Sequence, residues 1–149
     1  MATAKQELGA WGEALVAKLC SCPGCKRAKT FKRLPNNFKC ADLICDFCGF
    51  LAQVKSMTAK RIDVVPTHVL GAAWGPQKER MNSGIYFPLF LVLRSPSDEH
   101  AVYYLPTDFQ SPALFAERKP LGPGAKRAGW QGFRYVMSEL KVGALARLL

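Results

Sequence analysis

Two Cys-x-x-Cys pairs constrain this chain more than any other feature. Cys22-Pro23-Gly24-Cys25 and Cys45-Asp46-Phe47-Cys48 are separated by nineteen residues, and Gly49 follows the second pair. A CxxC turn offers two thiolates to one ion without backbone strain, and zinc prefers four soft ligands in a tetrahedron. Two pairs at this spacing predict a single four-cysteine zinc site, with Gly49 supplying the permissive backbone that such knuckles use. An ion whose four positions are all filled by protein is structural rather than catalytic. Cys20 and Cys40 are left over. Each is close enough in sequence to replace a ligand, and each is equally suited to simple packing.

Metal ligation is preferred over disulfides because the chain reads as cytoplasmic and soluble, and a reducing compartment keeps thiols free. Met1 to Leu19 carries Lys5, Glu7, Glu13 and Lys18 and lacks the unbroken apolar core of a signal peptide. The longest apolar stretch, around Phe87 to Leu93, is far short of the ~20 residues needed to span a bilayer, so no membrane partner is expected.

A length of 149 residues suits one domain, and an apolar fraction of 49% excludes wholesale disorder. The net charge of +10 comes in bursts: Lys26, Arg27, Lys29, Lys32 and Arg33, then Lys60 and Arg61, Arg118 and Lys119, Lys126 and Arg127. Clustered cations suggest a surface that tracks a polyanion, nucleic acid before membrane.

Leu8, Trp11, Leu15 and Leu19 recur at helical spacing and predict an amphipathic first helix, with Glu13 on the side away from the leucines. Ala41 to Ile44 and Phe50 to Lys55 are strand-like runs on either side of the second CxxC, a hairpin with a metal knuckle at its tip. Ile62 to Val65 is expected to extend the sheet. Val69 to Trp74 reads as helical until Gly75-Pro76 interrupts it, with a second short helix from Gln77 to Met81. Phe87 to Arg94 is a continuous apolar run, the pattern of a buried central strand, and Ala101 to Leu105 is the next strand. Residues 106–132 are rich in Pro and Gly and read as long loops. Leu140, Leu145, Leu148 and Leu149 suggest a closing helix.

The residues that carry chemistry straddle the knuckle: Asp42, then Gln53-Val54-Lys55. Residues two apart on a strand share a face, so Gln53 and Lys55 project together while Val54 points into the core. The knuckle folds the Asp42 strand back beside them. A carboxylate, an amide oxygen and an ammonium in one place suit phosphodiester hydrolysis. The carboxylate holds a divalent ion such as Mg²⁺ or Mn²⁺, and lysine orients the nucleophile or offsets developing charge. Glu13 is a candidate for a further carboxylate. A solvated hairpin face would produce the same spacing.

The order Glu13, Cys22-Pro23-Gly24-Cys25, Asn36-Asn37, Ala41-Asp42-Leu43-Ile44-Cys45-Asp46-Phe47-Cys48, Gln53-Val54-Lys55-Ser56, with the later Pro120-Leu121 and Ala125-Lys126-Arg127-Ala128-Gly129-Trp130-Gln131-Gly132, resembles the Dam-replacing family. The resemblance covers residues 1–149, nearly all of the chain. It implies the family's N-terminal nuclease domain of PD-(D/E)xK type. That domain is α/β, a restriction-endonuclease-like mixed central sheet flanked by helices, with an inserted four-cysteine zinc site. It implies Asp42 and Gln53 as metal-binding positions, Lys55 as the catalytic lysine, and Cys22, Cys25, Cys45 and Cys48 as zinc ligands. Gln53 stands where the typical member has Glu, although some branches of this nuclease superfamily carry QxK. The family's C-terminal winged helix, which reads methylated adenine, is expected to be absent from a chain that stops at Leu149.

The leading expectation is therefore an endonuclease acting on double-stranded DNA, and the resemblance suggests a restriction setting linked to adenine methylation. Lys126 and Arg127 are expected in the DNA-contacting surface, with Trp130 stacking nearby or packing their loop. The alternatives are a zinc-containing DNA-binding module without turnover and an RNA-binding zinc ribbon. Gln53 favours the first alternative, and the Ala125 to Gly132 run opposes the second.

Overall fold

The structure, a computed structural model, describes residues 3–149. Its helices are α1 (Ala4–Leu19) and α2 (Trp74–Asn82). The strands are β1 (Phe31–Arg33), β2 (Leu43–Cys45), β3 (Leu51–Thr58), β4 (His68–Ala73) and β5 (Leu89–Arg94). They continue with β6 (His100–Leu105), β7 (Phe115–Glu117), β8 (Gly132–Val136) and β9 (Ala146–Arg147).

A mixed six-stranded sheet runs in the order β1-β2-β3-β5-β6-β9. Only β3 and β5 are parallel, with Lys55 opposite Leu91. Parallel neighbours need a long crossover, and residues 59–88 supply it while carrying β4 and α2. β5 is the hub. Its Leu89, Leu91 and Leu93 face one core with Tyr135, Phe133, Phe115 and Val69, while Phe90 and Val92 face a second core with Val16, Val54 and Phe31. A strand buried on both sides reads as a continuous apolar run, as residues 87–94 do. α1 covers one face of this sheet. The other is covered by α2 and by a three-stranded antiparallel sheet in the order β4-β8-β7. The mixed α/β architecture is the expected one; the second sheet is additional to it. No helix among the described residues is long and apolar enough to cross a membrane.

α1 begins with a reciprocal cap: the Gln6 N–H donates to Thr3 Oγ1 at 3.2 Å and the Thr3 N–H donates to Gln6 Oε1 at 2.9 Å. Two of the donors orphaned at a helix start are thereby satisfied. The buried line of the helix is Gly12 and Val16, flanked by Trp11 and Leu15, and Leu19 is 49% exposed. Gly12 is there because the helix lies almost on β3. A Cβ added to it would sit 1.8 Å from Ser56 Oγ and 3.0 Å from Ser56 Cβ.

Five expectations differ from the structure. Residues 68–73 form β4 rather than a helix, because they pair with β8, a strand more than sixty residues later (Val69 opposite Tyr135). Gly75-Pro76 opens α2 instead of interrupting a helix, since proline is tolerated in a first turn whose N–H groups lack partners. Ile62 to Val65 is not a strand; the Ile62 carbonyl accepts from the Tyr103 hydroxyl at 2.7 Å. The leucines after 140 form no helix. Gly143 takes φ +85°, Ala144 is buried, and β9 then pairs with β6. The loop-rich stretch 106–132 also contains β7.

Gly12→Ala should lower stability by about 1–3 kcal/mol, the usual cost of overpacking. Ser56→Ala removes the nearer of the two contacts, so the double variant should recover part of the loss in urea denaturation. Two losses that simply add would show that the helix–strand approach is not what Gly12 serves.

Candidate functional site

The two CxxC turns meet at the tip of the β2–β3 hairpin. All four sulfurs lie within 4.8 Å of one another, with Cys22–Cys48 at 3.6 Å and Cys25–Cys45 at 3.8 Å. A tetrahedral site with zinc–sulfur bonds of about 2.3 Å has sulfur–sulfur edges of about 3.8 Å, so the set fits a metal ion such as zinc. Cys20 and Cys40 lie outside this group. The backbone is tied around it: the Lys26 N–H donates to the Cys22 carbonyl at 2.8 Å and the Gly49 N–H to the Cys45 carbonyl at 2.8 Å. Gly49 adopts φ +80°, the left-handed conformation for which glycine is suited. The cysteines form one end of a larger mixed sheet, not a self-contained ribbon.

The thiols differ in acidity. Burial pushes the Cys22 thiol up to about 12, only partly offset by the Cys25 and Gly24 N–H groups. At Cys45 burial is outweighed by the Thr30 hydroxyl, 3.1 Å away, and by the N–H groups of Cys48 and Phe47, which bring it down to about 6.

Asp42 sits just before β2, held from both sides. Its N–H donates to the Ala52 carbonyl at 2.9 Å, and its Oδ2 accepts from the Val54 N–H at 2.8 Å. Its carbonyl accepts from the Leu34 N–H, which ties it to the end of β1. From there Arg33 Nε donates to Glu13 Oε1 at 3.1 Å, drawing α1 toward the hairpin. Glu13, Asp42 and Lys55 together line a cleft of about 740 Å³ between α1, β3 and β4. The Glu13 carboxyl is raised above the ordinary glutamate range, first by burial and then by the Asp42 charge; Arg33 and Lys55 partly offset both. Lys55 makes no ion pair among the described residues.

Gln53 is placed differently from Lys55. Both alternate to the second-sheet side of β3, but Gln53 is only 4% exposed and does not line the cleft. Its Oε1 accepts from the Tyr135 hydroxyl and its Nε2 donates to Gln77 Oε1 at 3.1 Å. Burial, then the Asp42 and Cys40 charges, push the Tyr135 phenol up, so it stays a neutral donor. Val54 between them is buried in the α1-side core.

The opposite lip of the cleft comes from the loop between β7 and β8. Arg127 and Trp130 line it, the guanidinium carbon 4.4 Å above the indole ring, while Lys126 is exposed outside it. The loop is held by the Leu121 N–H donating to the Trp130 carbonyl and by Gln131 Nε2 donating to the Arg118 carbonyl at 2.7 Å. Trp130 packs over Gly132, where an added Cβ would lie 3.0 Å from the ring.

A family model described as DpnI, Dam-replacing family, matches residues 2–146. The chain belongs to the Dam-replacing family. In this family member the cleft also holds His68, at the start of β4, with Nδ1 3.2 Å from Thr67 Oγ1. Nothing in the sequence around His68 marks it. Its place depends on the β4–β8 pairing, which only the tertiary structure reveals.

Two outcomes follow from these groups. Metal binding must displace thiol protons, that of Cys22 above all, so a metal held by the four cysteines should be surrendered to a chelator more readily as pH falls, and one zinc per chain is the expected content. Cys20→Ser and Cys40→Ser should leave the metal content unchanged by elemental analysis. A metal-free protein melting at the same temperature would remove the structural role.

Glu13 is less acidic folded than unfolded, so its charge costs stability above its raised pKa and costs nothing below the ordinary glutamate range. Glu13→Gln should therefore raise the melting temperature at neutral pH without divalent ions, and the gain should vanish in acid. The lost ion pair with Arg33 opposes this weakly, since that arginine is 48% exposed. A lower melting temperature at neutral pH would show that the Arg33 bond outweighs the crowding.

Proposed function

We propose that this member of the Dam-replacing family is a metal-dependent endonuclease of double-stranded DNA. The observation that carries the reading is the convergence of Glu13, Asp42 and an unpaired Lys55 in one cleft whose other lip carries Arg127 over Trp130. Two neighbouring carboxylates, one of them made less acidic by burial and then by the other's charge, form an all-oxygen donor set of the kind that hard divalent cations relieve. Asp42 and Glu13 would hold Mg²⁺ or Mn²⁺; when bound, such an ion polarises a phosphodiester and activates water. We assign this role to the two carboxylates ahead of Gln53, whose oxygen already accepts from Tyr135 outside the cleft.

The chain's own groups then divide the work. Lys55, with no ion-pair partner among the described residues, offers its ammonium to the scissile phosphate or to the attacking water. Arg127 suits a neighbouring phosphate, its guanidinium kept flat by the indole beneath it. Lys126, exposed beside it, adds a further phosphate contact. The four-cysteine site takes zinc in a structural role, holding the hairpin on which Asp42 and Lys55 depend. Any preference for adenine-methylated duplex falls to the Lys119–Phe133 loop, whose Arg127 and Trp130 line the cleft.

A second reading, a zinc-containing DNA-binding module without turnover, draws on Gln53, a neutral amide committed to a buried network. One assay separates them: methylated and unmethylated duplexes incubated with Mg²⁺ or Mn²⁺, with strand scission as readout. Asp42→Ala and Lys55→Ala should each lower the cleavage rate by about 10²-fold or more. The same variants should shift duplex affinity by less than about threefold, because affinity rests on many phosphate contacts. Metal-dependent scission that survives Lys55→Ala would misplace the site, and no scission with retained binding would favour the second reading.

A further inference from the structure

Outside the cleft, the strongest concentration of charge lies on the metal knuckle. Lys26, Arg27, Lys29 and Lys32 lie in or beside the two CxxC turns, and Asp46 is the one acidic residue in residues 26–33 and 45–49. Cations on a surface are usually no more than solvated, but three observations set these apart. Phe47, at the knuckle tip, is 61% exposed, and the Arg27 guanidinium carbon lies 3.8 Å above its ring. That contact orients a guanidinium that would otherwise swing freely. Lys26 and Lys29 take φ +66° and +59°, a conformation that non-glycine residues adopt at a cost. Backbone bonds of the knuckle, including the Cys22 N–H to the Arg27 carbonyl at 2.9 Å, hold that segment in place. Finally, the patch is continuous with the cleft. β1 runs from Phe31, opposite Cys45, to Arg33, which bonds Glu13.

From these we infer that the knuckle and β1 form a second contact surface for the phosphate backbone of duplex DNA, flanking the cleft. The inference rests on the DNA-cleaving reading for its ligand and adds where the duplex runs. Cys45 is three strand residues beyond Asp42, roughly 10 Å, which corresponds to about three phosphates of axial advance along one strand. The surface repeats the device at the other lip, where Arg127 lies over Trp130. A duplex held in the cleft is thus gripped on two sides by an arginine braced on an aromatic ring. Lys32 is available to the same backbone, because its approach to Asp46 is only 4.0 Å with both groups exposed. Arg33 is committed to Glu13 and serves as the link, not as a contact.

The test is binding of labelled duplexes to the zinc-loaded protein without added Mg²⁺ or Mn²⁺, by fluorescence anisotropy across a salt series. A long duplex, of about 24 base pairs, covers both the cleft and the knuckle. Arg27→Gln with Lys29→Gln should weaken it about tenfold near 0.1 M salt and lower the slope of log affinity against log salt by about 2. Lys32→Gln should give a smaller loss of the same kind, and zinc content and melting temperature should stay as in the parent. Unchanged affinity in zinc-retaining variants would overturn the inference. So would a loss of affinity with an unchanged salt slope, or tighter binding of RNA than of DNA that the same changes abolish. The readout needs no strand scission, so a protein that binds in this salt-dependent way but does not cut fails only the nuclease reading.

Discussion

Four thiols converge at the end of the β2–β3 hairpin, placed to hold a metal ion where the sheet's strands are shortest. β1 and β2 are three residues long, too short to contribute many ladder bonds, and lean on Phe31 and Leu43 in the α1-side core. A metal ion on Cys22, Cys25, Cys45 and Cys48 would close the intervening loop, and its binding free energy would become folding free energy for the hairpin. Asp42 sits at the other end of the same short β2, bonded to β3 through both its backbone and its carboxylate. The metal centre and the cleft are therefore two ends of one device.

α1 completes the cleft through two contacts of opposite character. The close approach at Gly12 lets the helix rest against Ser56 on β3, and the Arg33 bond pulls Glu13 toward Asp42. The first is ordinary packing. The second is a favourable ion pair, but burial and then the nearby Asp42 charge outweigh it and disfavour the ionised form of Glu13 in the folded chain. Groups set against their own stability in this way recur where a protein binds a charged ligand, because the ligand relieves the repulsion.

The Tyr135–Gln53–Gln77 network offers a physical reason for glutamine at position 53. An amide both accepts from the tyrosine and donates to the Gln77 oxygen, so the oxygen and nitrogen of Gln53 both find partners in this buried layer. A carboxylate there would keep the first bond but turn a charged oxygen toward the Gln77 oxygen at low exposure. The network also joins β3, α2 and β8, three segments far apart in the chain. A buried network of this kind rigidifies the strand that carries Lys55.

The four-cysteine set, α1, the knuckle hairpin and the doubly buried β5 were legible in the sequence alone, since each rests on local chemistry: paired thiols at fixed spacing, a 3.6-residue stripe, an unbroken apolar run. The family and the neighbouring positions of Asp42 and Lys55 were legible for the same reason, because a short hairpin converts sequence spacing into proximity. The second sheet was not, because β4 and β8 become strands only by pairing with each other across more than sixty residues. With it went the entry of His68 into the cleft and the withdrawal of Gln53 from it. Period-two spacing placed Gln53 and Lys55 on one face of β3. Which of them meets solvent and which is roofed by Tyr135 depends on how far β8 reaches over that face, and that is a property of the packed layers, not of the strand.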